Sequence, residues 1–305
     1  MPMEYHSPVL LNESVNGLAI KKNGVYVDVT FGGGGHSREI LQHLGPEGRL
    51  FAFDQDKDAL SNTIKDDRFV LINENFKFMK RFLRFHDVKA VDGILADFGV
   101  SSYQFDAPER GFSIRFDAPL DMRMNQEDKL SAKTIVDSYS EEELRRIFWD
   151  FGELRSAPAI ARTIVEARSE RPIETTFELK KLLHKFLPRG KNNKILAQIY
   201  QAIRIEVNNE LEVLKLFLIA SKELLKTEGR LSVISYHSLE DRLVKRFIRN
   251  GMFQGEPERD VFGNYSVPLE KVGKLIVPTD EEIKINNRAR SAKLRIAKKI
   301  YRGKK

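Results

Sequence analysis

The 305-residue chain is long enough for one large domain or two ordinary ones, and 41% hydrophobic and 31% charged residues are typical of a globular protein. It contains no cysteine, which excludes disulfides and thiolate metal sites. The net charge of +7 favours a polyanionic partner, because each neutralised phosphate releases condensed counterions. The N-terminal residues do not resemble a signal peptide and no apolar stretch approaches a membrane span, so we expect a cytoplasmic protein without a membrane partner.

Apolar runs alternate with helical patterns over the first hundred residues. Strands are predicted at 25–29, 50–53, 69–72 and 93–96, and helices at 37–44, 57–64 and 76–85, the last of them basic. Strands separated by helices of this length indicate βαβ units. The strand runs are short and almost entirely apolar, as in sheets that helices cover on both faces. We therefore predict an α/β fold with a doubly wound, mostly parallel sheet.

The alternation stops between residues 105 and 208, where the sequence carries almost no strand signal. Helices are predicted there at 141–151, 158–168, 176–186 and 195–207. The α/β pattern resumes with a helix at 210–225, a strand at 230–235 and a helix capped at Ser238. We predict one α/β domain made of residues 1–105 and 209–305, interrupted by an all-helical domain at 106–208.

Two basic segments lie outside this pattern. Residues 284–305 carry ten basic residues and no acidic residue, which favours a solvated tail, although Leu294, Ile296 and Ile300 indicate that part of it is packed. Residues 180–191 are basic and amphipathic, and we interpret them as a solvated helix face rather than an RNA contact.

A glycine-rich turn, Gly32 to Gly35, follows the first predicted strand and precedes a helix. Glycines let the backbone turn sharply and approach a ligand, and the helix N-terminus presents free N–H groups. Asp54 ends the second strand, where a carboxylate can accept hydrogen bonds from both hydroxyls of a ribose. The pattern therefore predicts a nucleoside-containing cofactor.

The glycine spacing distinguishes two cofactor classes. Dinucleotide sites use Gly-x-Gly-x-x-Gly, and the third position here is Ser37 or Arg38. Asp28, Gly32 and Gly34 match instead the Asp-x-x-x-Gly-x-Gly spacing usual in S-adenosylmethionine sites, in which the acid faces the methionine end. The spacing favours S-adenosyl-L-methionine as the cofactor.

Six motifs occur in a fixed order along the chain. They are HSPVLL at 6–11, TFGGGGHS at 30–37, DFGVSS at 97–102, RGFS at 110–113, PLDMRM at 119–124 and HSLEDR at 237–242. Together they resemble the RsmH/MraW family of bacterial rRNA cytosine-N4 methyltransferases, from about residue 5 to residue 298. The resemblance implies a Rossmann-like class I methyltransferase fold with a helical insertion that recognises the substrate. It also implies methylation of one cytidine near the P site of 16S rRNA in the small ribosomal subunit.

The resemblance further implies which residues contact the cofactor. By position they are Gly34, Gly35, His36, Asp54, Phe76, Asp97 and Gln104. Phe76 would stack beside the adenine. The chain departs from the family pattern at 193–197, where the family often has His-Pro-Ala, and at Asn287, which replaces a proline.

Asp97 is the predicted catalytic residue. Methyl transfer from a sulfonium is an in-line displacement that depends on alignment, and cytosine N4 is a poor nucleophile because its lone pair is delocalised. Asp97 ends the fourth strand, which places it beside the cofactor crevice. We predict that it accepts an N4 proton, aided by the carbonyls of Phe98 and Gly99. The alternative is a strand-end cap or a purely cofactor-binding role.

The target base must be unpaired or flipped to reach the methyl group. Four aromatic residues are candidates to line its pocket, or else they are core: Tyr103, Phe105, Phe112 and Phe116. Candidate phosphate contacts are Arg110, Arg123, Arg242, Arg288 and Arg290. His237 either faces the crevice or is structural. The histidines lack metal-ligand spacing, so we expect no metal.

Three alternatives remain open. The chain could methylate another nucleic acid or a protein, could be a nucleotide-dependent oxidoreductase, or could be a non-catalytic RNA-binding protein of ribosome assembly. The missing third glycine argues against the oxidoreductase, and Asp97 with the glycine turn argues against the non-catalytic protein. Monomer and homodimer are equally open.

Overall fold

The computed structural model describes residues 8–187, 192–257 and 267–300. His6 and Ser7 of the first motif, positions 188–191 of the basic segment and positions 301–305 of the basic tail lie outside these described residues. The chain divides into two compact units. The sheet unit comprises Met1–Gly99 and Leu211–Lys305, and the helical unit comprises Val100–Glu210.

Within the described ranges, seven strands form one sheet. They are β1 Val25–Asp28, β2 Arg49–Phe53, β3 Phe69–Ile72, β4 Val91–Asp97, β5 Leu225–Ser235, β6 Leu269–Ile276 and β7 Lys293–Lys299. Their spatial order is β3-β2-β1-β4-β5-β7-β6, with β1 to β5 parallel and β7 antiparallel to both of its neighbours. The predicted doubly wound, mostly parallel sheet is confirmed. The strand order reverses between β1 and β4, which is where such sheets bind ligands.

Helices cover both faces of the sheet. The α-helices, in chain order, are α1 Leu11–Gly17, α2 Gly35–His43, α3 Met79–Phe85, α4 Ser102–Asp106, α5 Ala132–Ser138, α6 Glu141–Asp150, α7 Ala157–Glu170, α8 Thr176–Leu182, α9 Asn192–Asn208, α10 Glu210–Leu224, α11 Ser238–Asn250 and α12 Asp280–Ile285. Val27 belongs to a core cluster that also contains side chains of α3, α10 and α11, whereas its neighbour Tyr26 belongs to a second cluster with side chains of α1 and α2. Successive strand residues face opposite sides, so both sides of β1 are buried. None of the described helices is long and apolar enough to cross a membrane.

Several predicted helices are shorter or tighter than expected. The helix predicted at 57–64 is a 3-10 helix, Lys57–Asn62, whose first turn is capped by the Asp56 carboxylate at 3.1 Å from the Asp58 N–H. A 3-10 turn, Phe76–Phe78, precedes α3, and another, Leu183–Phe186, follows α8. Helix ends often tighten in this way, and sequence periodicity does not resolve it.

The helical unit contains α4 to α9, in the part of the chain where sequence patterning predicts an all-helical insertion. Apart from one isolated bridge between Pro119 and Thr175, no β-structure occurs in its described residues. Its core packs Phe148 of α6 against Ile160 of α7 and Ile203 of α9, and all three side chains are fully buried. This core is separate from those of the sheet unit.

The prediction of a solvated basic tail is wrong for residues 293–299, which form β7. Sequence patterning predicted neither β6 nor β7. Leu294 and Ile296 are buried in a cluster on one side of β7, as their apolar character indicated. On the other side Arg295 makes two hydrogen bonds to the Asp241 carboxylate, at 2.7 and 3.1 Å. The strand accommodates its charges because partners on neighbouring elements neutralise them.

Candidate functional site

The turn between β1 and α2 depends on two glycines. Gly34 has φ 75° and ψ 15°, caps α2, and donates its N–H to the Phe31 carbonyl at 2.7 Å. A Cβ at Gly34 would lie 2.8 Å from the Phe31 ring, and a Cβ at Gly35 would lie 2.1 Å from Pro8. The left-handed dihedral and the crowding both require glycine here.

Asp28 holds this turn to α2 from inside the protein. It is fully buried, and its carboxylate accepts hydrogen bonds from the Ser37 hydroxyl at 2.7 Å and the Thr30 N–H at 3.1 Å. Burial raises the pKa of Asp28. The acid of the first strand, expected to face the methionine end of a cofactor, is instead enclosed by protein donors, so we assign it a supporting role.

Asp54 lies just beyond β2 and faces the glycine turn. One carboxylate oxygen accepts the Gly32 N–H at 2.8 Å and the other accepts the Asp56 N–H at 2.9 Å. Burial raises the pKa of Asp54 to about 6, although both hydrogen bonds oppose the shift. Each carboxylate oxygen can accept a second hydrogen bond, so Asp54 keeps the capacity to bind two hydroxyl groups.

Asp97 ends β4 and is fixed at two points. Its N–H donates to the Thr30 hydroxyl at 2.7 Å, and its Oδ1 accepts the Tyr236 hydroxyl at 2.8 Å. Its Oδ2 accepts no hydrogen bond from any residue that the structure describes. Burial raises the pKa of Asp97 to about 6, while the field of His36 and the Tyr236 hydrogen bond oppose the shift. Asp97 can therefore present a free oxygen that accepts a proton near neutral pH.

Sequence reasoning missed Thr30 and Tyr236. Thr30 lies two residues beyond Asp28, the last residue of β1, and Tyr236 lies two residues beyond Ile234, which pairs with Asp97 near the end of β5. The strand-end rule that found Asp54 and Asp97 could have found both, had it been applied to every parallel strand.

His237 is a helix cap. Its imidazole accepts the Glu240 N–H at 3.5 Å, and the Glu240 carboxylate accepts the N–H groups of Tyr236 and His237 at 2.8 and 3.3 Å. The predicted cap at Ser238 is wrong, because Ser238 is the first residue inside α11. This geometry favours the structural interpretation of His237 and also fixes the backbone beside Tyr236.

The two other cofactor candidates of the sheet unit have packing partners. The His36 ring is buried, with Nε2 3.2 Å from the Val9 carbonyl oxygen. Phe76 is half-buried, and its ring centroid lies 5.9 Å from that of Phe98 and 5.6 Å from that of Phe217. Phe76 therefore lies at the surface end of an aromatic cluster that reaches into the core.

The remaining candidates near α4 lie in the helical unit. Gln104 forms a capping box with Ser101, with reciprocal hydrogen bonds of 3.1 Å. Arg110 is only 2% exposed and donates to the carbonyls of Arg123 and Met124, both at 3.0 Å. A phosphate contact does not fit Arg110, because its guanidinium is committed inside the protein.

Burial also corrects the role predicted for Phe112, which is 6% exposed in the core of the helical unit and not available to stack on a base. Arg123 makes hydrogen bonds of 2.8 and 2.6 Å to the Asp121 carboxylate, which commits much of its guanidinium to the loop. The accessible candidates belong to the sheet unit: exposed Arg242 and Arg290, and half-buried Arg288.

Comparison with known proteins identifies the family. The profile of the MraW methylase family matches residues 3–300. Ribosomal RNA small subunit methyltransferase H of Flavobacterium johnsoniae is 72% identical over 98% of this chain and 99% of its own length, and that of Christiangramia forsetii is 66% identical over the same shares. A solved rRNA methylase from Streptococcus thermophilus is a distant match, with 11% identity, a TM-score of 0.42 and 95% of each chain covered. The full-length profile match and the high identities to curated relatives show that this chain belongs to the MraW methylase family.

Proposed function

We propose that this chain transfers the methyl group of S-adenosyl-L-methionine to the exocyclic N4 of one cytidine near the P site of 16S rRNA in the small ribosomal subunit. Its family makes it an S-adenosylmethionine-dependent methyltransferase. The names of its relatives supply the small-subunit rRNA as the substrate class. The observation that carries the proposal is the arrangement of Asp54, Gly34 and Asp97 around the reversal of strand order.

The residues present fit the cofactor. The turn at Gly34 leads into the α2 N-terminus, where Gly35 and His36 offer backbone N–H groups, and Asp54 retains acceptor capacity for the ribose hydroxyls. Phe76 at the rim of the aromatic cluster suits the adenine, and the family resemblance adds Gln104. When bound, the sulfonium supplies an electrophilic methyl group.

Asp97 performs the remaining chemistry in this proposal. Its Oδ2 holds an N4 hydrogen of the cytosine and receives the proton as the nitrogen becomes cationic, aided by the Phe98 and Gly99 carbonyls. Tyr236 holds Oδ1 and so fixes the rotation of the carboxylate. Asp97 is the catalytic residue, and Tyr236 is a positioning residue.

The proposal also assigns substrate recognition to the helical unit, in a cytoplasmic enzyme. A direct test is to incubate the purified protein and S-adenosylmethionine with small ribosomal subunits that lack the modification, and then to analyse the 16S rRNA nucleosides by mass spectrometry. We expect N4-methylcytidine at one position. Methylation of duplex DNA but not of the subunits would contradict the proposed substrate.

Cofactor affinity is expected to fall at acid pH. Asp54 and Asp97 both have a pKa of about 6, and only the ionised forms fully accept hydroxyl groups and attract the sulfonium. Protonation therefore weakens binding below pH 6, by up to about tenfold per pH unit for each group, while affinity is flat above pH 7. Isothermal titration calorimetry from pH 5 to pH 8 measures this. Asp54→Asn should bind more weakly and show a shallower pH dependence, and an unchanged slope would exclude Asp54 as a titrating group.

Tyr236→Phe is expected to lower the methyl-transfer rate about threefold to tenfold, because Oδ1 of Asp97 loses its one described donor. The lost hydrogen bond lowered the pKa of Asp97, so that pKa should rise and the acid limb of the pH–rate profile should move to higher pH. Single-turnover rates between pH 5 and pH 8 test both effects. A purely structural tyrosine would lower stability without moving the acid limb.

A further inference from the structure

The segment after β3 exposes aromatic and basic side chains on one face. The exposed residues of the 3-10 turn and α3 are Lys77, Phe78, Arg81, Arg84 and Phe85. Positions three, four and seven residues apart lie on the same side of a helix, so these five side chains form a single surface, here called the α3 face. Phe78 is 41% exposed and Phe85 is 81% exposed.

The α3 face is not required by the core. Met79 and Leu83 are fully buried on the opposite side of the helix, and Phe82 is half-buried with its ring edge-on to Phe53. These inward residues already anchor α3 to the sheet. Phe85 is mostly exposed and Phe78 is exposed over two fifths of its surface, and clustered apolar exposure commonly marks a binding surface.

The positive charges of the face are available to a ligand. Lys80, on the flank, forms an ion pair with Glu223. Within the described residues, no carboxylate lies within ion-pair distance of Lys77, Arg81 or Arg84. Lys77 lies 4.9 Å from the centroid of the Phe78 ring. Residues 77–86 contain no aspartate or glutamate, and the next acidic residue along the chain is Asp87, just past α3.

Flat apolar rings interleaved with cations suit single-stranded nucleic acid, in which bases stack on aromatic faces and phosphates pair with basic side chains. A second copy of the chain fits poorly, because a two-fold contact centred here would bring like charges together. Phe76, Phe78 and α3 follow the carboxyl end of β3, at the same sheet edge as Asp54 and Asp97. RNA that reaches this edge can continue along α3.

We propose that the α3 face binds a single-stranded stretch of rRNA next to the target cytidine, an inference that rests on the proposed function. Bases stack on Phe78 and Phe85, while Arg81 and Arg84 contact phosphates. The two rings are two helical turns apart, about 10 Å along the axis, so the face holds a short segment rather than a whole helix of RNA.

The test uses the full-length chain and a fluorescent single-stranded oligoribonucleotide that spans the target cytidine. Phe85→Ala should weaken binding at least about fivefold, as expected for the loss of one stacked base. The double variant Arg81→Ala/Arg84→Ala should weaken it further and reduce the slope of log K against log salt by about 1.4, or 0.7 per phosphate. Lys22→Ala/Lys65→Ala, which removes two exposed cations elsewhere on the sheet unit, is the matched control and should leave the affinity nearly unchanged.

S-adenosylmethionine affinity, measured in parallel, should be the same in every variant. Wild-type affinity and salt slope in both α3 variants would overturn the inference. So would a shift from dimer to monomer in Phe85→Ala without a change in RNA affinity, which would make the face an interface between copies. Failure of the proposed function is distinguishable, because the wild-type protein would then not methylate small subunits at all.

Discussion

Asp97→Asn is expected to reduce methyl transfer to small-subunit rRNA roughly 10²- to 10⁴-fold, the usual contribution of a general acid–base group. The asparagine has nearly the same shape, and its amide oxygen can still accept the Tyr236 hydroxyl that Oδ1 accepts at 2.8 Å. The amide nitrogen that would replace Oδ2 cannot take a proton from N4. Single-turnover transfer of a labelled methyl group at saturating cofactor measures the effect on chemistry alone.

A second aspartate of the same strand supplies the control. Asp92 lies near the opposite end of β4, where it is buried and paired with Lys226 at 2.6 Å. Asp92→Asn should lower stability but leave the transfer rate of the folded enzyme close to that of the wild type. A near-wild-type rate in Asp97→Asn would show that Asp97 is not the proton acceptor, whatever its effect on cofactor affinity.

Gly34→Ala is expected to have the second largest effect, a loss of S-adenosylmethionine affinity of at least about tenfold together with reduced stability. The left-handed conformation alone costs a non-glycine residue about 1–2 kcal/mol. The new methyl group would also lie 2.8 Å from the Phe31 ring and displace the turn that carries the α2 N-terminus. Calorimetric titration gives the affinity, and chemical denaturation gives the free energy of unfolding.

Gly273 separates the two contributions. Its φ of 67° is close to the 75° of Gly34, but a Cβ there would meet nothing within 4 Å among the described residues. Gly273→Ala should therefore lose only the conformational part of the stability and should bind the cofactor normally. Equal losses of stability in the two variants, with cofactor affinity intact in Gly34→Ala, would refute the role of crowding at the turn.

The strands that sequence patterning located are those buried on both faces. β1 to β4 are short apolar runs bounded by turns, and that pattern has few alternatives in a chain that alternates strands with helices. Asp54 and Asp97 followed from the same reasoning, because parallel strands end at a common edge. β7 carries four basic side chains among its seven residues, and most of β6 is exposed, so neither strand is a continuous apolar run and their place in the sheet depends on distant partners.

Burial of the polar residues of the motifs could not be predicted for the same reason. The carbonyls that receive Arg110 belong to residues 123 and 124, and the loop that brings them there has no periodic pattern. The Tyr236 hydroxyl reaches Asp97 across 139 positions of sequence. Local sequence patterns identify candidate functional side chains. Which of those side chains are buried in hydrogen bonds within the protein depends on long-range packing.

The position of β7 between β5 and β6 also affects how the protein is made. β6 is synthesised before β7, but among the described strands β6 pairs only with β7. In a nascent chain that has emerged only as far as β6, the neighbour of that strand is still missing, and the backbone N–H and C=O groups along the edge of β5 stay unpaired. Completion of the sheet must await the last strand, so we expect folding intermediates on the ribosome to need protection from aggregation until then.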